Sequence, residues 1–156
     1  MVSLFSPLNI ALLVFIFDQM SKIIILRNLE SAIPVIPGFF NIVLVRNMGA
    51  AWGMLSDYPF LLTAIAIAAL LFLILYFKKL SGNSNINKIA LSLLAGGISG
   101  NLFDRIIRGS VVDFLDFFWG RYHWPAFNIA DSAITISVIL LIITSFSNEG
   151  KLQENA

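Results

Sequence analysis

Residues 58–77 read YPFLLTAIAIAALLFLILYF, with Asp57 before them, Lys78 after them and no charge between. A helix needs roughly 20 mostly apolar residues to cross the hydrocarbon core of a bilayer. This stretch has that length and composition, so the chain is expected to reside in a membrane. Working outward, three more stretches repeat the pattern less cleanly, at about 4–26, 86–106 and 130–146. Composition agrees: 58% of the 156 residues are hydrophobic and 12% are charged, against about 45–50% and about 25% in soluble domains. The expected fold is one integral membrane domain over 1–156 with four transmembrane helices. Met1 to Phe17 carries no Lys or Arg, and Asp18 and Lys22 then interrupt the apolar run. With no basic n-region and no small-residue cleavage site, this segment reads as a span and not as a cleavable leader.

Four crossings put both termini on one side and gather two long loops, 28–57 and 107–129, on the other. The third loop, 78–88, is short, with Ser81-Gly-Asn-Ser-Asn as a plain turn. The stretch from Phe39 to Asn47 is β-branched and apolar, bounded by Pro37-Gly38 and Gly49, and reads as a strand. Residues 109–118 read as a second extended or interfacial segment. Trp52, Trp119, Tyr122 and Trp124 suit the membrane–water boundary. A small sheet lying on the membrane over the helices accounts for both loops. The charges do not orient the chain. Lys78, Lys79, Lys88 and Lys151 fall on the terminal side, and Arg27, Arg46, Arg105, Arg108 and Arg121 on or near the other.

Several chemistries are disfavoured. There is no cysteine for a disulfide or a thiol nucleophile. The one histidine, His123, makes a histidine-rich metal site unexpected and reads as an ordinary interfacial side chain. A formal net charge of +1 gives no reason to expect a nucleic-acid partner.

The polar residues carry the chemistry. Asp113 and Asp131 each border an apolar segment, and carboxylates near hydrocarbon are costly and mark function. Converging, they would form an acid–base pair able to activate water. Their spacing alone does not bring them together, and a plainer reading makes Asp131 a helix N-cap. Another reading pairs Asp113 with Asp116 around a hard cation such as Mg²⁺, although an odd offset turns them to opposite faces of a strand. Asp18 and Lys22 share a helix face, which suits an ion pair or a contact to substrate or sheet. Asn47 suits either a hold on a peptide backbone or a turn before Gly49. Asn101 and Arg105 share a face, with Arg105 snorkelling to the interface or clamping a carbonyl or acidic group, and Asp104 orienting it. Asn128 precedes the last span. Gly96 and Gly100 suit close helix packing. A transport path would need polar residues through the midplane; here they gather at one end.

Five ordered blocks carry a resemblance: Asp18-Gln-Met-Ser-Lys22, Arg46-Asn-Met-Gly-Ala-Ala-Trp52, Gly100-Asn-Leu-Phe-Asp-Arg105, Gly109-Ser-Val-Val-Asp-Phe114 and Phe127-Asn-Ile-Ala-Asp-Ser132. Together they resemble the lipoprotein signal peptidases (type II signal peptidases) of bacteria, over nearly the whole chain. The resemblance implies a four-helix membrane aspartyl endopeptidase with a small extracytoplasmic sheet, in the inner membrane with both termini cytoplasmic. It implies Asp113 and Asp131 as the catalytic dyad. Asn47, Asn101, Arg105 and Asn128 are then expected around the substrate backbone, and Asp18, Lys22 and Asp104 as structural polar residues. It implies no metal and no other cofactor. The expected substrate is a prolipoprotein carrying diacylglycerol on its cysteine, cut just before that cysteine. The expected enzyme is a monomer whose other partners are membrane lipids.

Overall fold

A computed structural model of the protein describes residues 6–50 and 53–154, with side chains up to residue 146. Trp52 and the side chain of Lys151, both named above, lie outside the described residues.

Helix α1 runs over Pro7–Asn28, capped by Ser6, whose hydroxyl accepts from the Asn9 amide at 3.3 Å. Two strands follow, β1 (Ile33–Ile36) and β2 (Phe40–Asn47). Helix α2 (Pro59–Ser81) also starts on a proline, which the first turn tolerates because its N–H would have no helical partner. Ser84 caps α3 (Asn85–Arg108) through the Asn87 amide, and Gly109 closes it in the left-handed region at φ 74°. That cap turns the chain directly into β3 (Val111–Trp119), which pairs with the two-residue β4 (Tyr122–His123). Helix α4 spans Ile129–Glu154. The strands form one antiparallel sheet in the order β1-β2-β3-β4.

The expected strand at 39–47 and the extended segment at 109–118 are the two central strands. Strands β1 and β4 were not expected. Strand β1 contains Pro34, which cannot donate to a ladder and is tolerated at a sheet edge. Helix α2 runs past the expected end of the span at Phe77 through Lys78 and Lys79 to Ser81, because backbone hydrogen bonding does not require an apolar side chain.

Among the described residues, α1, α2 and residues 129–146 of α4 are long and apolar enough to cross a membrane, with mean hydropathies of 1.8, 2.8 and 2.1. Helix α3 is the exception, since it carries Lys88, Asn101, Asp104, Arg105 and Arg108. It packs against each of the other three helices. Its approach depends on glycine. A Cβ on Gly96 would stand 2.6 Å from the Ala11 carbonyl oxygen of α1, and one on Gly97 2.6 Å from that of Ala130 in α4. On Gly100 it would meet Asp18 Oδ2 at 2.5 Å. The small-residue packing expected of Gly96 and Gly100 is therefore present and includes Gly97.

The bundle places charge inside and grease outside. Asp18, Lys22 and Asp104 have no exposure, while Phe60, Leu75 and Phe146 are largely exposed. Hydrocarbon solvates those outer side chains, so the arrangement suits a bilayer.

Adding one methyl at the α3 seam should force the helices apart. Gly96→Ala is expected to cost about 1–3 kcal/mol. Leu75→Ala, on the outer face, should change stability by no more than about 0.5 kcal/mol. Thermal melting of the detergent-purified variants measures both, and a Gly96→Ala protein as stable as the parent would contradict this packing.

Candidate active site

Strand β3 carries Asp113 opposite Val45 of β2, and β2 holds an irregularity between Ile42 and Val45 before reaching Asn47, opposite Val111. Asn47 Oδ1 accepts from the Gly49 amide at 2.9 Å. This turn contact fixes the side chain so that Nδ2 faces Asp113 and donates to Oδ2 at 2.9 Å. The turn reading of Asn47 is met, and its amide nitrogen is directed at a carboxylate.

The strap between β4 and α4 brings the second acid. Phe127 runs antiparallel to β3: its carbonyl accepts from Phe114 and Leu115, and its N–H donates to Leu115. The next residue, Asn128, is fully buried. Its Nδ2 donates to Asp113 Oδ1 at 2.7 Å, with Asn101 Oδ1 at 3.1 Å and the Val112 carbonyl at 3.3 Å. Its Oδ1 accepts from the Asp131 amide at 2.9 Å, and Asp131 Oδ2 accepts in return from the Asn128 amide at 3.1 Å. This is a reciprocal capping box. The N-cap is Asn128, which corrects the plainer reading of Asp131. A carboxylate three residues into the helix reaches back to the cap and leaves its other oxygen, Oδ1, for Asn101 Nδ2 at 2.7 Å.

Asp113 and Asp131 thus open on one cavity of about 750 Å³, lined also by Asn47, Asn101 and Arg105. Its remaining walls are mostly apolar and come from α2 (Leu62, Ile65), α3 (Ile98) and α4 (Ile136), with Trp124 and Pro125 from the strap. Burial, reinforced by the neighbouring charge of Asp131, pushes the Asp113 carboxyl up to about 6 against the downward pull of the Asn47 and Asn128 hydrogen bonds. Arg105 donates from Nη2 to the Gly49 carbonyl at 3.1 Å, and its buried Nε has no hydrogen-bond partner among the described residues.

Asp116 is not part of this pair. It lies on the other face of β3, where Asn41 donates to it at 3.3 Å and His123 Nδ1 lies 2.8 Å away. His123 also stacks on Phe118 at 4.8 Å. The two acids of the Asp-x-x-Asp motif therefore do not converge on one cation.

Behind the cavity lies an ionic cluster. Lys22 Nζ bonds Asp18 Oδ2 at 2.8 Å, Asp104 Oδ2 at 2.9 Å and Asn101 Oδ1 at 3.0 Å. Asp104 also pairs with Arg108. Gln19 donates to Asp18, Asp104 and the Gly100 carbonyl, and accepts from Arg108. Gln19 was missed in the sequence, as was the pairing of Arg108. The signal was available, since an amide within an apolar helix requires a polar partner.

Two carboxylates facing one cavity have the chemical means to take a proton from water and return one. The family described as Signal peptidase (SPase) II matches residues 10–147. A protein called Lipoprotein signal peptidase from Vibrio cholerae is 45% identical over 88% of this chain and 84% of its own. One of the same description from Syntrophotalea carbinolica is 43% identical over 89% of each. The fold is similar to a bacterial membrane enzyme solved by the in meso method at 2.3 Å, with a TM-score of 0.87 and 41% identity over 93% of this chain and 90% of that one. A second bacterial membrane enzyme, solved at 1.9 Å, has a TM-score of 0.78 and 43% identity over 88% of this chain and 90% of that one. The chain therefore belongs to the signal peptidase II family and is an integral membrane protease.

Proposed function

We propose that the protein is an aspartyl endopeptidase that removes the signal peptide from diacylglyceryl-modified prolipoproteins, cutting just before the lipidated cysteine. The observation that carries the reading is that Asp113 and Asp131, from a strand and a helix start, line one cavity and are each held by asparagine amides. Two neighbouring carboxylates do not easily ionise together, so the pair keeps one proton. The ionised partner removes a proton from water as the water oxygen attacks the scissile carbonyl carbon. The protonated partner hydrogen-bonds the carbonyl oxygen, and the departing amine takes up a proton as the C–N bond breaks. The proton belongs to the pair and not to either residue.

Asn101 and Asn128 spend their amides on the acids and on each other, so in this reading they position the dyad. Asn47 does the same from β2. Arg105 has five N–H donors and borders the cavity, which fits it to clamp a substrate carbonyl. The apolar walls between α2 and α4 suit the signal segment and acyl chains, kept in contact with membrane lipid. No cofactor enters the scheme, and the working unit is a monomer.

In the proposed topology α3 is the fourth crossing, its charges masked by its neighbours. Both termini are cytoplasmic, and the sheet lies at the extracytoplasmic face of the inner membrane. The chain lacks cysteine, so a single introduced thiol reports its own side. In intact spheroplasts an impermeant maleimide should label cysteine at Trp119, which is 79% exposed, and spare cysteine at Asn83 until lysis. The reverse pattern would invert the topology.

A gel-shift assay with purified protein and a synthetic diacylated prolipoprotein tests the chemistry. The parent and Asp116→Asn should cleave with or without chelator, and Asp113→Asn and Asp131→Asn should lose cleavage. Cleavage by either of the last two as folded protein would refute the dyad. Because burial and the ionised Asp131 hold the Asp113 proton up to about 6, raising the pH through that value removes the proton the pair shares. Parent kcat/KM should therefore fall as the pH rises through about 6; a flat profile there would contradict the scheme.

A further inference from the structure

Each buried acid of the ionic cluster holds the backbone amide one residue before a cavity aspartate. Asp18 Oδ1 accepts from the Ala130 amide at 3.0 Å, next to Asp131. Asp104 Oδ2 accepts from the Val112 amide at 3.1 Å, next to Asp113. Lys22 bridges the two acids at 2.8 and 2.9 Å, and none of the three side chains is exposed. Its third bond, to Asn101 Oδ1 at 3.0 Å, decides which end of that amide faces Asp131: with the oxygen on the ammonium, the nitrogen must point to the carboxylate.

We infer that Lys22, with Asp18 and Asp104, sets the separation and orientation of Asp113 and Asp131. The inference rests on the dyad reading above. These three are positioning residues: they touch no substrate and act through two backbone amides and one asparagine. An ion pair needed only to anchor α1 would be satisfied by Asp18 and Lys22 alone. The observed cluster instead spans α1 and α3, and its acids reach the first turn of α4 and the start of β3. A displacement near 1 Å at reacting groups costs on the order of 100-fold in rate, so errors in this spacing should appear in kcat while the cavity still binds its substrate.

The test compares full-length protein in lipid nanodiscs as parent, Lys22→Met, the charge-balanced pair Asp18→Asn with Lys22→Met, Asp104→Asn and Asp113→Asn. Melting and circular dichroism give the folded fraction, and kcat is expressed per folded molecule. Lys22→Met should lower kcat by about 100-fold with KM changed less than about twofold. The paired variant guards against misfolding of Lys22→Met: the amide oxygen it introduces at position 18 still accepts from the Ala130 amide, but the bridge is gone, so kcat should remain low. Asp104→Asn keeps an acceptor for the Val112 amide and should retain the most activity of the three. A purely structural cluster predicts reduced folded fractions with parental kcat per folded molecule, and that result would overturn the inference. Activity surviving in Asp113→Asn would instead remove the dyad reading beneath it.

Discussion

An ammonium group sealed from water is the constraint on which this structure is organised. Lys22 has no exposure, and an unpaired charge there would cost several kcal/mol. Its three N–H donors are met by Asp18, Asp104 and Asn101. Those acceptors lie on two helices, and the two acids continue to a third helix and a strand. Satisfying one buried cation therefore ties four elements together. The glycine face of α3 makes it geometrically possible, since any side chain at Gly100 would occupy the place of the Asp18 carboxylate.

The sheet solves a different problem. Asp113 and Asp131 are far enough apart in sequence that local geometry cannot join them. The strap from Trp124 to Asn128 joins them by pairing Phe127 with Leu115 and starting α4 on a cap that also bonds Asp113. One asparagine thus contacts both acids. Burial then gives Asp113 a carboxyl that titrates near 6, the range in which a proposed water-activating pair must exchange protons. The same desolvation that makes the site costly to fold makes it chemically usable.

Much of this was legible in the chain. Long, mostly apolar runs pointed to the helices, and the β-branched run ending at Asn47 to the central strand, because both are local features of the chain. The ion pair of Asp18 and Lys22 followed from their spacing on one helix. Asp116 turned away from Asp113 as strand alternation requires. Strand β1 was hidden by Pro34, and β4 is too short to leave a pattern. The cap role of Asn128 was obscured because Asp131 is an equally good cap by composition; only the hydrogen bonds distinguish them. That Asp104 pairs with Lys22 and holds Val112 depends on how α1 and α3 pack, which no single-helix pattern contains. Helix α3 departs from the simplest hydropathy rule because its polar residues face the protein interior.

The shared proton is the central claim, and infrared difference spectroscopy of the purified protein titrates it directly. The account predicts one protonated carboxylic acid just below pH 6 whose C=O band disappears as the pH rises through about 6 and is absent from both Asp113→Asn and Asp131→Asn. Two ionised carboxylates just below pH 6, or an acid band that survives in both variants, would contradict it.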